Sequence, residues 1–190
     1  MQAKTLFIDL LEKVNRPGVD ELIKYLEEQT DFFIAPCSTK YHLSREGGLV
    51  EHSVNVTYEL RDLANFYELD IPKDSILIVG LLHDLCKVNS YKPCEVSVPP
   101  DKSGTGKWEK VPGWRKAEDL LLGHGAKSLS IVQDFIKLTD EEKQAIYWHM
   151  STWDTSQYSS SNMVGRVYEQ NKLAFLLHMA DEVSTYITEA

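Results

Sequence analysis

Histidine and aspartate on the inner faces of helices are the residues of this sequence best suited to chemistry. The chain holds six histidines. Five of them, His52, His83, His124, His149 and His178, fall where helical periodicity points a face inward or opens a helix. His83 is followed directly by Asp84 at the end of the most apolar helical stretch. Asp181 lies three residues after His178 and shares its helix face. Polar groups at the end of a buried helix are costly unless they have strong partners. A single such histidine is most simply a packed core residue. Several separate helices, each aiming an imidazole or a carboxylate inward, suggest a metal-ligand set instead. Neutral imidazole donates nitrogen, and aspartate neutralises charge and can bridge two ions, a combination suited to Fe, Mn, Zn, Co or Ni. Spacing alone does not prove convergence, because any helical bundle could scatter these residues.

The elements that must position them are helical nearly throughout. Leu6, Phe7, Leu10, Leu11 and Val14 form one helix face, stopped by Arg16-Pro17-Gly18. Val19, Leu22, Ile23 and Leu26 form a second short helix, followed by an irregular stretch from Thr30 to Gly48. Leu49, His52, Val56, Leu60, Leu63 and Tyr67 are spaced as the inner face of a long third helix. The next helix, Ser75 to Val88 with Asp74 or Ser75 as its cap, is apolar on nearly every side and is expected to be central. Between Tyr91 and Glu118, Cys94, Val96 and Val98 alternate with polar residues, and after the turn-rich run Pro99 to Gly106 comes a second short apolar segment. This predicts a small β-hairpin over residues 91–118, inserted between helices. Because its ends are tied to Asp84 and His124, the hairpin is expected to overhang the site. Helical pattern resumes after Gly123-His124-Gly125. Thr139-Asp140-Glu141-Glu142 is a capping box opening the helix that carries Ala145, Ile146 and His149. A polar loop, Ser151 to Asn162, leads to a last long helix with Leu173, Leu176, Leu177, Ala180, Val183 and Ile187. The expected architecture is one mostly helical domain spanning residues 1–190.

Composition narrows the function further. At 190 residues the chain can bury a core without staples, so a metal would serve chemistry more than folding. The formal net charge of −9 argues against a duplex nucleic acid partner, whose footprint is a basic face. No stretch approaches the ~18–20 apolar residues of a membrane span. The three cysteines, Cys37, Cys86 and Cys94, make no CxxC pair and read as reduced thiols, so a cytoplasmic location is expected. Gly104-Thr105-Gly106-Lys107-Trp108 lacks the flanking residues of a phosphate loop.

Three segments carry a family resemblance: Gly47-Gly48-Leu49-Val50-Glu51-His52, Leu82-His83-Asp84-Leu85-Cys86-Lys87, and Leu176-Leu177-His178-Met179-Ala180-Asp181. Their ordered pattern H…HD…D resembles the HD-domain metal-dependent phosphohydrolases over roughly residues 30–187. Gly123-His124 and Trp148-His149 fit the two further histidines of the dinuclear branch. The resemblance implies an all-α HD-domain helical bundle with the site at its centre. It implies His52, His83, Asp84 and Asp181 on one divalent transition metal ion, and His124 and His149 on a second, with Asp84 bridging. Water or hydroxide between the ions would attack phosphorus, making the protein a phosphohydrolase acting on a phosphomonoester, phosphodiester or nucleotide. Asp84 and Lys87 are the expected catalytic groups. Lys87, Arg45, His42 and Lys127 are candidates to contact the small phosphorylated substrate. Many relatives carry Gly where Cys86 stands, and Cys86 is not expected to be a nucleophile. His178 would either orient a ligand or pack in the core. The alternative reading is a catalytically silent nucleotide- or metal-binding regulatory module.

Overall fold

A computed structural model describes residues 2–99, 106–117, 120–154 and 161–190. Among the described residues the chain forms eight α-helices: α1 (Gln2–Leu11), α2 (Val19–Glu28), α3 (Gly48–Phe66), α4 (Lys73–Leu82), α5 (His124–Gln133), α6 (Asp140–Trp148), α7 (Ser161–Gln170) and α8 (Lys172–Val183). Between α4 and α5 lies the expected antiparallel hairpin, β1 (Tyr91–Val98) and β2 (Glu109–Lys116), registered Tyr91 to Lys116 and Val98 to Glu109. The turn-rich run expected at its tip falls mostly in 100–105, outside the described residues. No described helix is long and apolar enough to cross a membrane.

The apolar helix α4 is central, as its pattern requires. Ile78, Val79, Leu81 and Leu82 are fully buried, and α4 packs against α3 and α6. Helix α3 also packs on α8 and α1, and α6 on α5 and α8, so the helices bearing the candidate residues are mutual neighbours. Two glycines permit the closest crossings. A Cβ at Gly80 would sit 2.6 Å from Thr57 Oγ1, so only glycine lets α4 lie this close to α3. A Cβ at Gly125 would collide with the Tyr147 carbonyl, so glycine lets the start of α5 approach the end of α6. These crossings bring His52 near His83 and His124 near His149.

Several local expectations differ from the structure. Helix α4 ends at Leu82 rather than Val88, and a 3-10 turn, Leu85–Lys87, follows Asp84. Ser128 of α5 accepts the Cys86 N–H at 3.0 Å, which replaces a helical bond and turns Asp84 and Lys87 toward one point. Neither Asp74 nor Ser75 caps α4. Pro72 holds the cap position, Asp74 accepts the Asn15 N–H, and Ser75 donates to Glu142 at 2.6 Å. The last helical stretch is divided in two, because the Asn171 side chain accepts from Ala174 N–H and so restarts the chain as α8.

The capping box at Thr139 and Glu142 forms as expected, but Glu142 does more. Its side chain is fully buried and accepts Arg16 Nη1 and Nη2 at 2.7 Å each, besides Ser75 and the Thr139 N–H. Burial pushes the Glu142 carboxyl up, but the bonds from Arg16, Ser75 and Thr139 outweigh it and hold it below its ordinary 4.5. Arg16→Ala would leave this buried carboxylate without its counter-ion, and the expected loss of stability at neutral pH is about 3–5 kcal/mol by denaturant unfolding. A depressed carboxyl stabilises the fold above its unfolded value and ceases to do so as pH falls through its folded value. The gap between the two proteins should therefore narrow in acid; an equal gap throughout would refute the assignment.

Candidate metal centre

Each candidate side chain reaches the centre from a different element. His52 lies within α3, His83 caps the end of α4, and Asp84 opens the 3-10 turn. His149 caps the end of α6, His124 begins α5 beneath Gly123, and Asp181 lies in α8. His52, His83 and His149 are fully buried and Asp84 is nearly so. Asp84 is the common neighbour. Its Oδ2 lies 3.7 Å from both His52 Nε2 and His83 Nε2, and its Oδ1 lies 3.6 Å from His149 Nε2. Asp181 Oδ1 is 3.2 Å from His52 Nε2. Ring centroids of His52 and His83 are 5.3 Å apart, and those of His83 and His149 are 5.1 Å apart.

Hydrogen bonding orients two of these imidazoles unambiguously. His83 Nδ1 faces the Gly80 carbonyl at 2.9 Å, and His149 Nδ1 faces the Ile146 carbonyl at 2.7 Å. A carbonyl only accepts, so Nδ1 carries the proton and Nε2 of the neutral ring offers its lone pair to the centre. Burial pushes His83 down to about 4, so it is neutral at pH 7. Burial opposes charge on His149 as well, but Asp84 and Asp181 raise it above its ordinary value. Asp84 itself is held well below the carboxylate range: burial would raise it, but Lys87, His83 and His149 prevail.

This arrangement fits a divalent cation. The Nε2 atoms of His52, His83 and His149 are buried and make no hydrogen bond. They face carboxylate oxygens at 3.2–3.7 Å, an arrangement that is favourable only around a cation or a shared proton. Such spacings suit donors that each bind an ion at about 2.0–2.2 Å. The donor atoms fall into adjoining groups. His52, His83 and Asp181 form one, Asp84, Cys86 and His124 another, and Cys37, His42 and His52 a third that shares His52, with ligand atoms within 4.8 Å in each. Burial and Asp84 push the Cys86 thiol up.

A cavity of about 770 Å³ opens over this centre, with Asp84, Lys87, His124, Asp181 and His42 in its lining. Lys87 Nζ lies 2.5 Å from Asp84 Oδ2 and 3.4 Å from Cys37 Sγ. Two other candidate substrate contacts lie elsewhere. Arg45 is turned away onto the two Glu51 oxygens at 2.7 and 2.6 Å. Lys127 is buried and donates to Ser90 Oγ at 3.0 Å, outside the cavity lining. His178 Nδ1 donates to the His149 carbonyl at 2.8 Å and its ring stacks on Tyr168, so it supports the turn holding His149. None of the described hairpin residues lines the cavity; the hairpin is anchored through buried Tyr91, whose hydroxyl donates to the Cys37 carbonyl.

Cys37 and Glu189 are site neighbours that sequence reasoning missed. Cys37 Sγ lies 3.2 Å from His42 Nε2, and Glu189 bonds His52. Cys37 sits in an irregular stretch and Glu189 beyond the last apolar repeat, where periodicity carries no signal.

Residues 49–186 match the HD domain family. Over 83 residues the chain is 34% identical to dihydroneopterin 2',3'-cyclic phosphate phosphodiesterase of Methanocaldococcus jannaschii. That match covers 42% of this chain and 31% of the relative, so the chain aligns with under a third of the relative's length. No solved structure gave a match.

Proposed function

Since the chain belongs to the HD domain family through residues 49–186, we propose that it is a metal-dependent phosphohydrolase acting on a small phosphorylated substrate. The observation that carries this reading is the convergence of three unbonded, buried Nε2 atoms on Asp84 beneath a cavity that also holds an ammonium group. His52, His83, Asp84 and Asp181 would hold one divalent ion. His124 and His149 would hold a second, with Asp84 between the two. Bound there, the ions supply Lewis acidity, lowering the pKa of water and neutralising phosphoryl oxygens. The two oxygens of Asp84 support a bridging role, since Oδ2 faces His52 and His83 while Oδ1 faces His149. Lys87, paired to Asp84 at the cavity floor, places a fixed positive charge where a phosphoryl oxygen would enter. His42 stands beside it as a further substrate contact.

The cavity also carries three exposed aromatic rings from three elements: Tyr41 at 73% exposure, Trp153 at 68% and Tyr186 at 67%. Exposed rings around a phosphate site favour a substrate with a planar heteroaromatic part, because each stacked base contributes about 1–3 kcal/mol. The relative's name states a cyclic phosphate of a pterin, which fits this class. We therefore favour a phosphomonoester or phosphodiester of a nucleotide or a similar planar compound. The free thiols of Cys37, Cys86 and Cys94 agree with a cytoplasmic setting. One hydrophobic cluster from Phe7 to Ala180 supports reading residues 1–190 as a single unit.

The test pairs elemental analysis of gently purified protein with a hydrolysis screen over nucleotides, 2',3'-cyclic phosphates and simple phosphomonoesters. Bound transition metal and turnover of planar phosphate esters are the expected result. Metal-free protein that hydrolyses none of them would overturn the proposal and leave the regulatory module.

A further inference from the structure

The three buried imidazoles facing Asp84 are oriented by different means. His83 and His149 stand at helix ends and donate Nδ1–H to carbonyls three residues earlier, at Gly80 and Ile146. Those bonds are local, so the helix that supplies the imidazole also fixes its tautomer. His52 lies inside α3, and its Nδ1 instead meets the carboxylate of Glu189, 137 residues away, at 3.1 Å from each oxygen. The Glu189 side chain is 1% exposed. Asn55, one turn along α3 from His52, donates to the same carboxylate at 2.9 Å.

The chain after α8 brings this group into place. Ser184–Thr188 is a π-helical turn closed by Glu189 N–H to the Ser184 carbonyl at 2.9 Å. Such wide turns often mark functional sites. Thr188 fastens the turn to α3 by donating to Glu59 at 2.8 Å. The His52 ring is thus held between Asp181 on its Nε2 side and Glu189 on its Nδ1 side. The turn also forms part of the cavity wall through Thr185 and Tyr186.

We propose that Glu189 is a positioning residue: its carboxylate holds the Nδ1–H of His52, directs the Nε2 lone pair at the metal, and so couples this segment of the cavity wall to metal binding. This rests on the metal reading above. A carboxylate on the far nitrogen makes a ligand imidazole a better donor and fixes its orientation, and losing such a partner weakens metal binding about 10–100-fold. Coupling is reciprocal, so metal should in turn hold the segment.

The experiment strips the protein of metal and measures Zn²⁺ affinity by competition with a chelator, alongside backbone hydrogen exchange over residues 184–190. Glu189→Ala should weaken Zn²⁺ binding about 10–100-fold. Glu189→Gln keeps an acceptor without charge and should fall between; being isosteric, it carries the test if the alanine variant does not fold. Zn²⁺ should slow exchange in the segment for the wild type and much less for Glu189→Ala. Thr188→Ala, which loosens the turn but leaves Glu189 on His52, should weaken Zn²⁺ binding clearly less than Glu189→Ala. Unchanged affinity in both Glu189 variants, or an equal loss in Thr188→Ala, would show that Glu189 merely pins the segment. A wild-type protein that takes up no Zn²⁺ or other transition metal would overturn the metal reading and this one together.

Discussion

Asp84→Ala is expected to empty the centre of metal and lower phosphohydrolase turnover by about 10³-fold or more, the scale on which groups stabilising transition-state charge act. The expectation follows from its position. No other described carboxylate approaches three buried Nε2 atoms, at 3.6 and 3.7 Å, and an ammonium group at 2.5 Å. Removing it takes away an oxygen donor from both groups of imidazoles at once. The helical fold should survive, because the core runs through Leu49, Ile78, Leu81 and Ile146, packed independently of the carboxylate. Stability will nonetheless drop, since Lys87 loses its counter-ion in a largely buried place. Asp84→Asn separates the two effects, as it keeps the volume and some hydrogen bonding. Helicity by circular dichroism, metal content and turnover are the three measurements. A variant that retains full metal content would refute the central assignment.

Replacing His124 and His149 together by alanine is expected to leave about one tightly held ion per chain and to lose most hydrolysis. The structure divides the donors between the two oxygens of Asp84. His52 and His83 face Oδ2, with Asp181 close to His52, while His149 faces Oδ1. His124 joins the Oδ1 side through Cys86, whose Sγ lies 3.6 Å from both Oδ1 and His124 Nδ1. On the proposed assignment the first group holds an ion without the second. Clamping both the attacking and the leaving oxygen takes two ions, so turnover should fall by about 10²–10³-fold even where one ion remains. Native mass spectrometry gives the stoichiometry beside the rate. Near wild-type turnover with unaltered stoichiometry would make these histidines substrate contacts or packing, and a mononuclear site would replace the dinuclear one.

Much of this was legible in the residues alone. Periodicity located the helices because each must bury a stripe at 3.6-residue spacing, and α4 stood out by being apolar all round. The capping box at Thr139 was readable because it closes within four residues. The candidate donors were readable for the same local reason: each shares an inward face or helix end with apolar neighbours, as His149 does with Ala145 and Ile146. Local spacing cannot report what meets across the fold. The bond of Arg16 to Glu142, 126 residues on, and of His52 to Glu189, 137 residues on, depend on how helices cross. So does the separation of Lys87, which enters the cavity, from Lys127, which turns to Ser90 although it lies one turn beyond His124. The periodic pattern determined which residues face inward. Only the close crossings at Gly80 on Thr57 and Gly125 on Tyr147 decided which of those inward residues share a point, because a crossing angle is set by the packing of two surfaces and neither sequence segment contains the other.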